Sequence, residues 1–151
     1  MKKIFILSTL LILGTSLFAE NVSDDLFVVT SKYDFKTTVT KIKAVLKEKN
    51  LTVFADFDHR KNAEEVGLSM PSSQIIVFGN PKAGTQLMLQ EPLAALELPM
   101  KIGVIENKDK TVRIVFAKTE VIAKRYGIKD SAVLKNMQNL LETIVLSVNK
   151  S

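Results

Sequence analysis

The run Gln74-Ile75-Ile76-Val77-Phe78 constrains this chain more than any other stretch. Alternate residues of a strand point to opposite faces, and here both faces are apolar. Such a strand is expected at the centre of a sheet. Gly79-Asn80-Pro81 ends it. Pro81 suits the first position of a helix, where its missing N–H has no partner to lose, and Asn80 suits the cap. That helix is expected to run to about Gln90.

The remaining elements follow from periodicity. Leu26 to Thr30 is a short β-branched run, expected as the first strand. Asp34 is expected to cap a helix whose apolar residues Phe35, Val39, Ile42, Val45 and Leu46 share one face, with Lys41, Lys43, Lys47 and Lys49 in water and Asn50 as the stop. Leu51 to Asp58 alternates, with Leu51, Val53, Ala55 and Phe57 on one face and Thr52, Phe54, Asp56 and Asp58 on the other. His59 falls in phase with the apolar face if that strand runs one residue further. Arg60 to Leu68 reads as a short helix ended by Gly67.

Pro92 to Pro99 is a connection with room for a helical turn. Met100 to Glu106 and Thr111 to Phe116 form a hairpin around Asn107-Lys108-Asp109-Lys110. Lys118 to Tyr126 is a helix stopped by Gly127. Asp130 is expected to cap the last helix, whose Leu134, Met137, Leu141, Ile144 and Val148 recur at alternating spacings of 3 and 4. That stripe suits a core face or a helix-to-helix dimer seam. The order β-α-β-β-β-β-α, with two inserted short helices, predicts an α+β fold with one mainly antiparallel sheet and its long helices on one face.

Met1-Lys2-Lys3, the apolar run Ile4 to Leu13, and Leu17-Phe18-Ala19 read as a secretory signal peptide cut after Ala19. The expected organisation is a leader over residues 1–19 and one domain over 20–151, with the protein periplasmic or secreted. The apolar run is shorter than the ~20 residues of a spanning helix, so membrane contact is expected only through an uncut leader. Without Lys2 and Lys3 the chain carries 19 basic and 16 acidic side chains, a formal +3. With two Tyr and no Trp, this argues against nucleic acid as a partner. The chain has no Cys and one His, which excludes disulfide scaffolds, thiolate metal sites and His-rich zinc sites.

Several segments together carry a resemblance. They are Val53-Phe54-Ala55, Asp58-His59, Gly67-Leu68, Ile76-Val77-Phe78-Gly79-Asn80-Pro81, Gly84-Thr85, Leu87-Met88, Ala95-Leu96-Glu97-Leu98-Pro99 and Lys101. In this spacing the chain resembles the family catalogued as domain of unknown function 302, over residues of about 26–126. Asn50 stands where a Gly is common, and Gly103 interrupts the first hairpin strand. The resemblance implies a curved, TATA-binding-protein-like sheet gripping long helices. It implies no reaction, because the family is defined without one.

Two places could carry chemistry. His59 is the one side chain expected to titrate near neutral pH, and Asp58 beside it could orient it. The other is the Gly79-to-Thr85 corner, where a helix N-terminus and Lys82 favour an anion. It lacks the Gly-Lys-Ser/Thr ending of a phosphate loop. Each also has an ordinary structural reading, as a strand-end hydrogen bond and as a capped corner. Met70, Met88 and Met100 with His59 would make a soft-metal set, but Met more often fills core gaps, and no metal or cofactor is expected.

The function expected is an exported module binding a small molecule or protein partner near the ends of the strands. Its candidate residues are Asp58, His59, Asn80, Lys82, Thr85 and Glu97. For His59 and the Asn80–Lys82 corner to share that site, the strands ending at Asp58 and Gly79 must pair in parallel. The alternatives are an enzyme using His59 as acid/base, for which no catalytic motif is present, and a purely structural homodimer.

Overall fold

The computed structural model describes residues 23–129 and 131–150. The proposed leader and Asp130 lie outside the described residues. The order is β1 (Leu26–Thr30), α1 (Phe35–Glu48), β2 (Thr52–Asp58), α2 (His59–Glu65), β3 (Ser73–Gly79), α3 (Pro81–Gln90), a 3₁₀ helix (Pro92–Glu97), β4 (Met100–Glu106), β5 (Val112–Ala117), α4 (Thr119–Tyr126) and α5 (Ala132–Val148). The three short helices read along the chain are present as α2, α3 and α4, one more than the two counted in the expected order, and the connection from Pro92 forms the helical turn it had room for. The strands form one five-stranded sheet ordered β1-β5-β4-β3-β2. All four neighbouring pairs are antiparallel. The fold is the expected α+β arrangement, and β3 is interior as its doubly apolar sequence requires.

Capping chemistry sets most element ends. The Asp34 carboxylate accepts from the Thr37 backbone N–H at 2.8 Å and the Thr37 hydroxyl at 2.9 Å, opening α1. Asn50 leaves that helix at φ 53°, in the left-handed region that Asn tolerates better than most side chains. This explains how Asn serves where Gly was expected. Asp58 caps α2 by accepting from the Lys61 N–H at 3.0 Å. β2 therefore stops at Asp58, and His59 begins a helix rather than prolonging the strand. The cap of α5 is Ser131, whose hydroxyl accepts from the Leu134 N–H at 3.3 Å.

α1 and α5 lie together on one face of the sheet. Ile42 and Leu46 of α1, Ile76 and Phe78 of β3, Ile102 of β4, Ile114 of β5, and Leu141 and Ile144 of α5 share one buried cluster. A second cluster joins Leu87 of α3 and Ala94 of the 3₁₀ helix to Leu134 and Met137 of α5. The whole predicted stripe of α5 is buried, so it is spent on the core and is not free to form a dimer seam.

On the opposite face, one rung joins Phe57, Ile75, Gly103, Val115 and Val28 across all five strands. A Cβ added to Gly103 would lie 3.0 Å from Val115 Cγ1 and 3.2 Å from Ile75 Cδ1. The interruption in the hairpin strand is therefore where two neighbouring side chains close over bare backbone.

β2 departs from the expected alternation. Val53 pairs with Phe78 and Ala55 with Val77, leaving Phe54 as an extra residue in the ladder. A bulge shifts the facing of everything beyond it. Val53 keeps the face of buried Phe78, but Ala55 and Phe57 turn to the other face. Asp56 moves to the helix side, where it pairs with Lys43 of α1. As an edge strand, β2 leaves Phe54 and Phe57 half exposed.

Candidate functional site

Antiparallel pairing divides the predicted site. Asp58 faces Gln74 at the start of β3, whereas Gly79 faces Thr52 at the start of β2. His59 and Asn80 therefore stand at opposite ends of the β2–β3 ladder. Seven residues per strand at ~3.3 Å each separate the ends by about 20 Å. No single small ligand bridges them, and the expected shared site is corrected on this ground.

At the Asp58 end the groups have structural work. The Asp58 carboxylate caps α2, so it is directed to backbone rather than held against His59. His59 is exposed on the first turn of that helix. Arg60 pairs with Glu64 one turn on, at 2.9 Å. Among the described residues, no group of three or more His, Cys, Asp or Glu is arranged to hold a metal.

At the other end, the Asn80 side-chain oxygen accepts the Lys82 backbone N–H at 2.9 Å. Pro81 has no N–H to offer. The first turn of α3 thus spends or lacks two of the donors an anion would use, which weakens the anion reading of the corner. Glu97 is also committed: its carboxylate accepts from Arg125, and from the Tyr126 hydroxyl at 3.1 Å. This ties the 3₁₀ helix to α4. The Tyr126 phenol is pushed above its ordinary pKa by desolvation first and by the Glu97 hydrogen bond second.

What the corner does build is a groove of about 460 Å³. Its wall on one side is α3, through Pro81, Ala83, Gly84 and Met88, continued by Ala95 and Leu98 of the 3₁₀ segment. The facing wall is the start of α5, through Val133, Met137 and Leu140. The floor is where β3 ends and β4 begins, at Gly79, Pro99 and Met100, and the bulge brings Phe54 to its rim. A Cβ on Gly79 would lie 3.5 Å from the Phe54 ring, an ordinary contact that places the ring against the end of β3.

Asn80, Thr85, Gln86 and Asn136 are the polar side chains lining the groove; no charged side chain lines it among the described residues. The size and the ratio of apolar wall to scattered hydrogen-bonding groups are those of a small-molecule cleft. Two of the predicted residues, Asn80 and Thr85, belong to it. Lys82 and Glu97 are on its elements but not on its wall, and Asp58 and His59 are far from it. The apolar lining was missed because a cleft residue reads as core in sequence. The one available signal was the excess of small residues in Ala83-Gly84 and Ala94-Ala95, which leave helix surfaces bare.

The family model described as "Domain of unknown function DUF302" matches residues 27–144, which carries the likeness into α5. The fluoride-specific ion channel FluC 1 of Brucella suis biovar 1 (strain 1330) is 29% identical over 121 residues, covering 79% of this chain and 48% of that protein. FluC 1 of Brucella abortus biovar 1 (strain 9-941) is also 29% identical over 121 residues, covering 79% and 45%. The chain spans about half the length of the curated relatives it matches. Among the described residues, no helix is long and apolar enough to cross a membrane. A crystal structure of an uncharacterized conserved protein from Bacillus stearothermophilus, also named for domain 302, superposes with a TM-score of 0.75. It covers 85% of this chain and 100% of that one at 17% identity, a likeness of fold.

Proposed function

The chain belongs to the DUF302 family, a domain of unknown function, and from its fold we propose that it is a binding module for a small, uncharged, mainly apolar molecule. The observation that carries this reading is the groove between α3 and α5. Its apolar wall would desolvate the ligand body, and Asn80, Thr85, Gln86 and Asn136 would fix its orientation through hydrogen bonds. A charged ligand would find no counter-charge on that wall and would leave its solvation behind for nothing. The enzyme alternative draws no support from the geometry, because His59 is remote from the groove.

The reading includes export, on the strength of the basic start, the apolar run and Ala19. It also treats the curated channels as proteins that join a module of this kind to a separate ion-conducting part. Their matched portion is under half of each, and this chain shows no spanning helix among its described residues.

The test is native mass spectrometry of the protein purified from its own host, followed by titration with N-phenyl-1-naphthylamine, a neutral apolar fluorophore. A retained small molecule, or probe binding that Ala95→Trp weakens at least tenfold by filling the groove, is the expected result. Absence of both overturns the reading.

A further inference from the structure

The groove gathers one kind of chemistry as well as a shape. Among the described residues there are four methionines, and three of them, Met88 of α3, Met100 of β4 and Met137 of α5, line it. They arrive from three separate elements. The fourth, Met70, lies in the connection before β3, at the far end of the β2–β3 ladder. The chain has no Cys and no Trp. A two-electron oxidant therefore meets thioether sulfur as the most readily oxidised side chain of this protein, and no other group of comparable reactivity lines the groove. Met88 and Met100 are partly exposed there, whereas Met137 is 5% exposed.

Hydrogen peroxide oxidises a thioether in one step. The sulfur lone pair attacks one peroxide oxygen, the O–O bond breaks and a sulfur–oxygen bond forms. The departing hydroxide takes the proton of the transferred oxygen and leaves as water, so sulfur loses two electrons and the peroxide gains them. A flexible apolar side chain becomes a polar, chiral sulfoxide. On the wall at Met88 or the floor at Met100, that group puts a strong acceptor where the lining is otherwise apolar. It holds water that an apolar ligand must displace, and it competes for the amide donors of Asn80, Gln86 and Asn136.

We propose that Met88 and Met100 form a reversible oxidation site, at which a peroxide lowers the affinity of the groove for its apolar ligand and methionine sulfoxide reduction restores it. The inference rests on the groove reading and assigns the regulation of that site. Met137, packed with Leu87, Ala94 and Leu134, reacts more slowly. Met70 is 38% exposed and is oxidised without effect on the groove, which makes it a control within the same chain.

The test treats the protein from its own host with hydrogen peroxide, maps the sulfoxides by peptide mass spectrometry, and titrates treated and untreated protein with N-phenyl-1-naphthylamine. The expected result is sulfoxide at Met88 and Met100 ahead of Met137, probe affinity at least tenfold lower, and an unchanged circular dichroism spectrum. The two epimer-specific sulfoxide reductases, with dithiothreitol as electron donor, should restore the affinity; the chain has no disulfide for that reagent to cut. Met88→Leu with Met100→Leu, a volume-conserving change, should stay within about twofold of its own untreated affinity after peroxide. Met70→Leu should lose as much as the parent. Each variant is compared with its own untreated form, so a changed starting affinity does not enter. If the double variant binds no probe, recovery of the parent by the reductases decides, and failure to recover overturns the proposal. Equal affinity before and after oxidation of Met88 and Met100 overturns it and leaves the groove reading standing. So does unfolding on oxidation, equal loss in the double variant, or a peroxide that reaches Met70 alone. Untreated protein that binds no probe and retains no small molecule overturns both.

Discussion

His59 and Asn80 each follow the last residue of a strand, and because those strands are antiparallel neighbours the two stand at opposite ends of the sheet. Anything bound at one is felt at the other only through the fold. For an apolar probe in the groove, His59→Ala and Asn80→Ala should act additively, with a coupling energy under about 0.5 kcal/mol. His59→Ala by itself should change stability by less than about 0.5 kcal/mol, as an exposed substitution does. A larger coupling, read from a double-mutant cycle, would return His59 to the site.

Leu141 of α5 is 2% exposed and belongs to the buried cluster that α1, α5 and the sheet share. Leu141→Ala removes buried methyl groups from a filled interior and should cost roughly 2–5 kcal/mol in urea unfolding. A midpoint matching the parent would mean that α5 is peripheral, against the burial of its whole stripe.

Two glycines should respond with opposite signs. Gly84 lies inside α3, and an added Cβ would meet Leu98 Cδ1 at 3.5 Å, an ordinary contact. Gly84→Ala should stabilise by about 0.5–1 kcal/mol through lost unfolded-state freedom. Gly103→Ala must push against Val115 and Ile75 across the outer face and should destabilise by about 1–3 kcal/mol. Gly103→Ala combined with Val115→Ala should recover part of that loss, and strict additivity of the two changes would refute the steric account.

The Asp34 cap makes one contribution to stability depend on pH. Hydrogen bonds from the Thr37 backbone and hydroxyl hold its carboxyl below the ordinary 3.8. A lowered folded pKa favours the folded state above the unfolded value, and that gain is lost as pH falls through the lowered one. Asp34→Asn keeps a capping oxygen but does not titrate. The advantage of the parent over this variant in urea midpoint should therefore shrink between about pH 5 and pH 2. A gap constant over that range would show that the charge contributes nothing.

The elements of this fold are written locally. Asp34, Asn80 and Gly127 mark helix ends because each satisfies or releases backbone groups within its own turn, and the apolar period of α5 names its buried face without reference to any neighbour. The interior position of β3 was equally legible, since a strand apolar on both faces has nowhere else to go. Pairing direction was not, because it depends on how the connection over residues 59–72 is laid, and α2 turns the chain back instead of crossing over. That choice alone separated His59 from the corner. The bulge at Phe54 was hidden in the same way: β2 alternates cleanly in sequence, and an extra residue exists only relative to the partner strand. The groove and the exposed leucines belong to the same class. A Leu in sequence is a claim on burial; only the packing of α3 and the 3₁₀ helix against α5 decides that Leu87 meets it and Leu89, Leu93 and Leu96 do not.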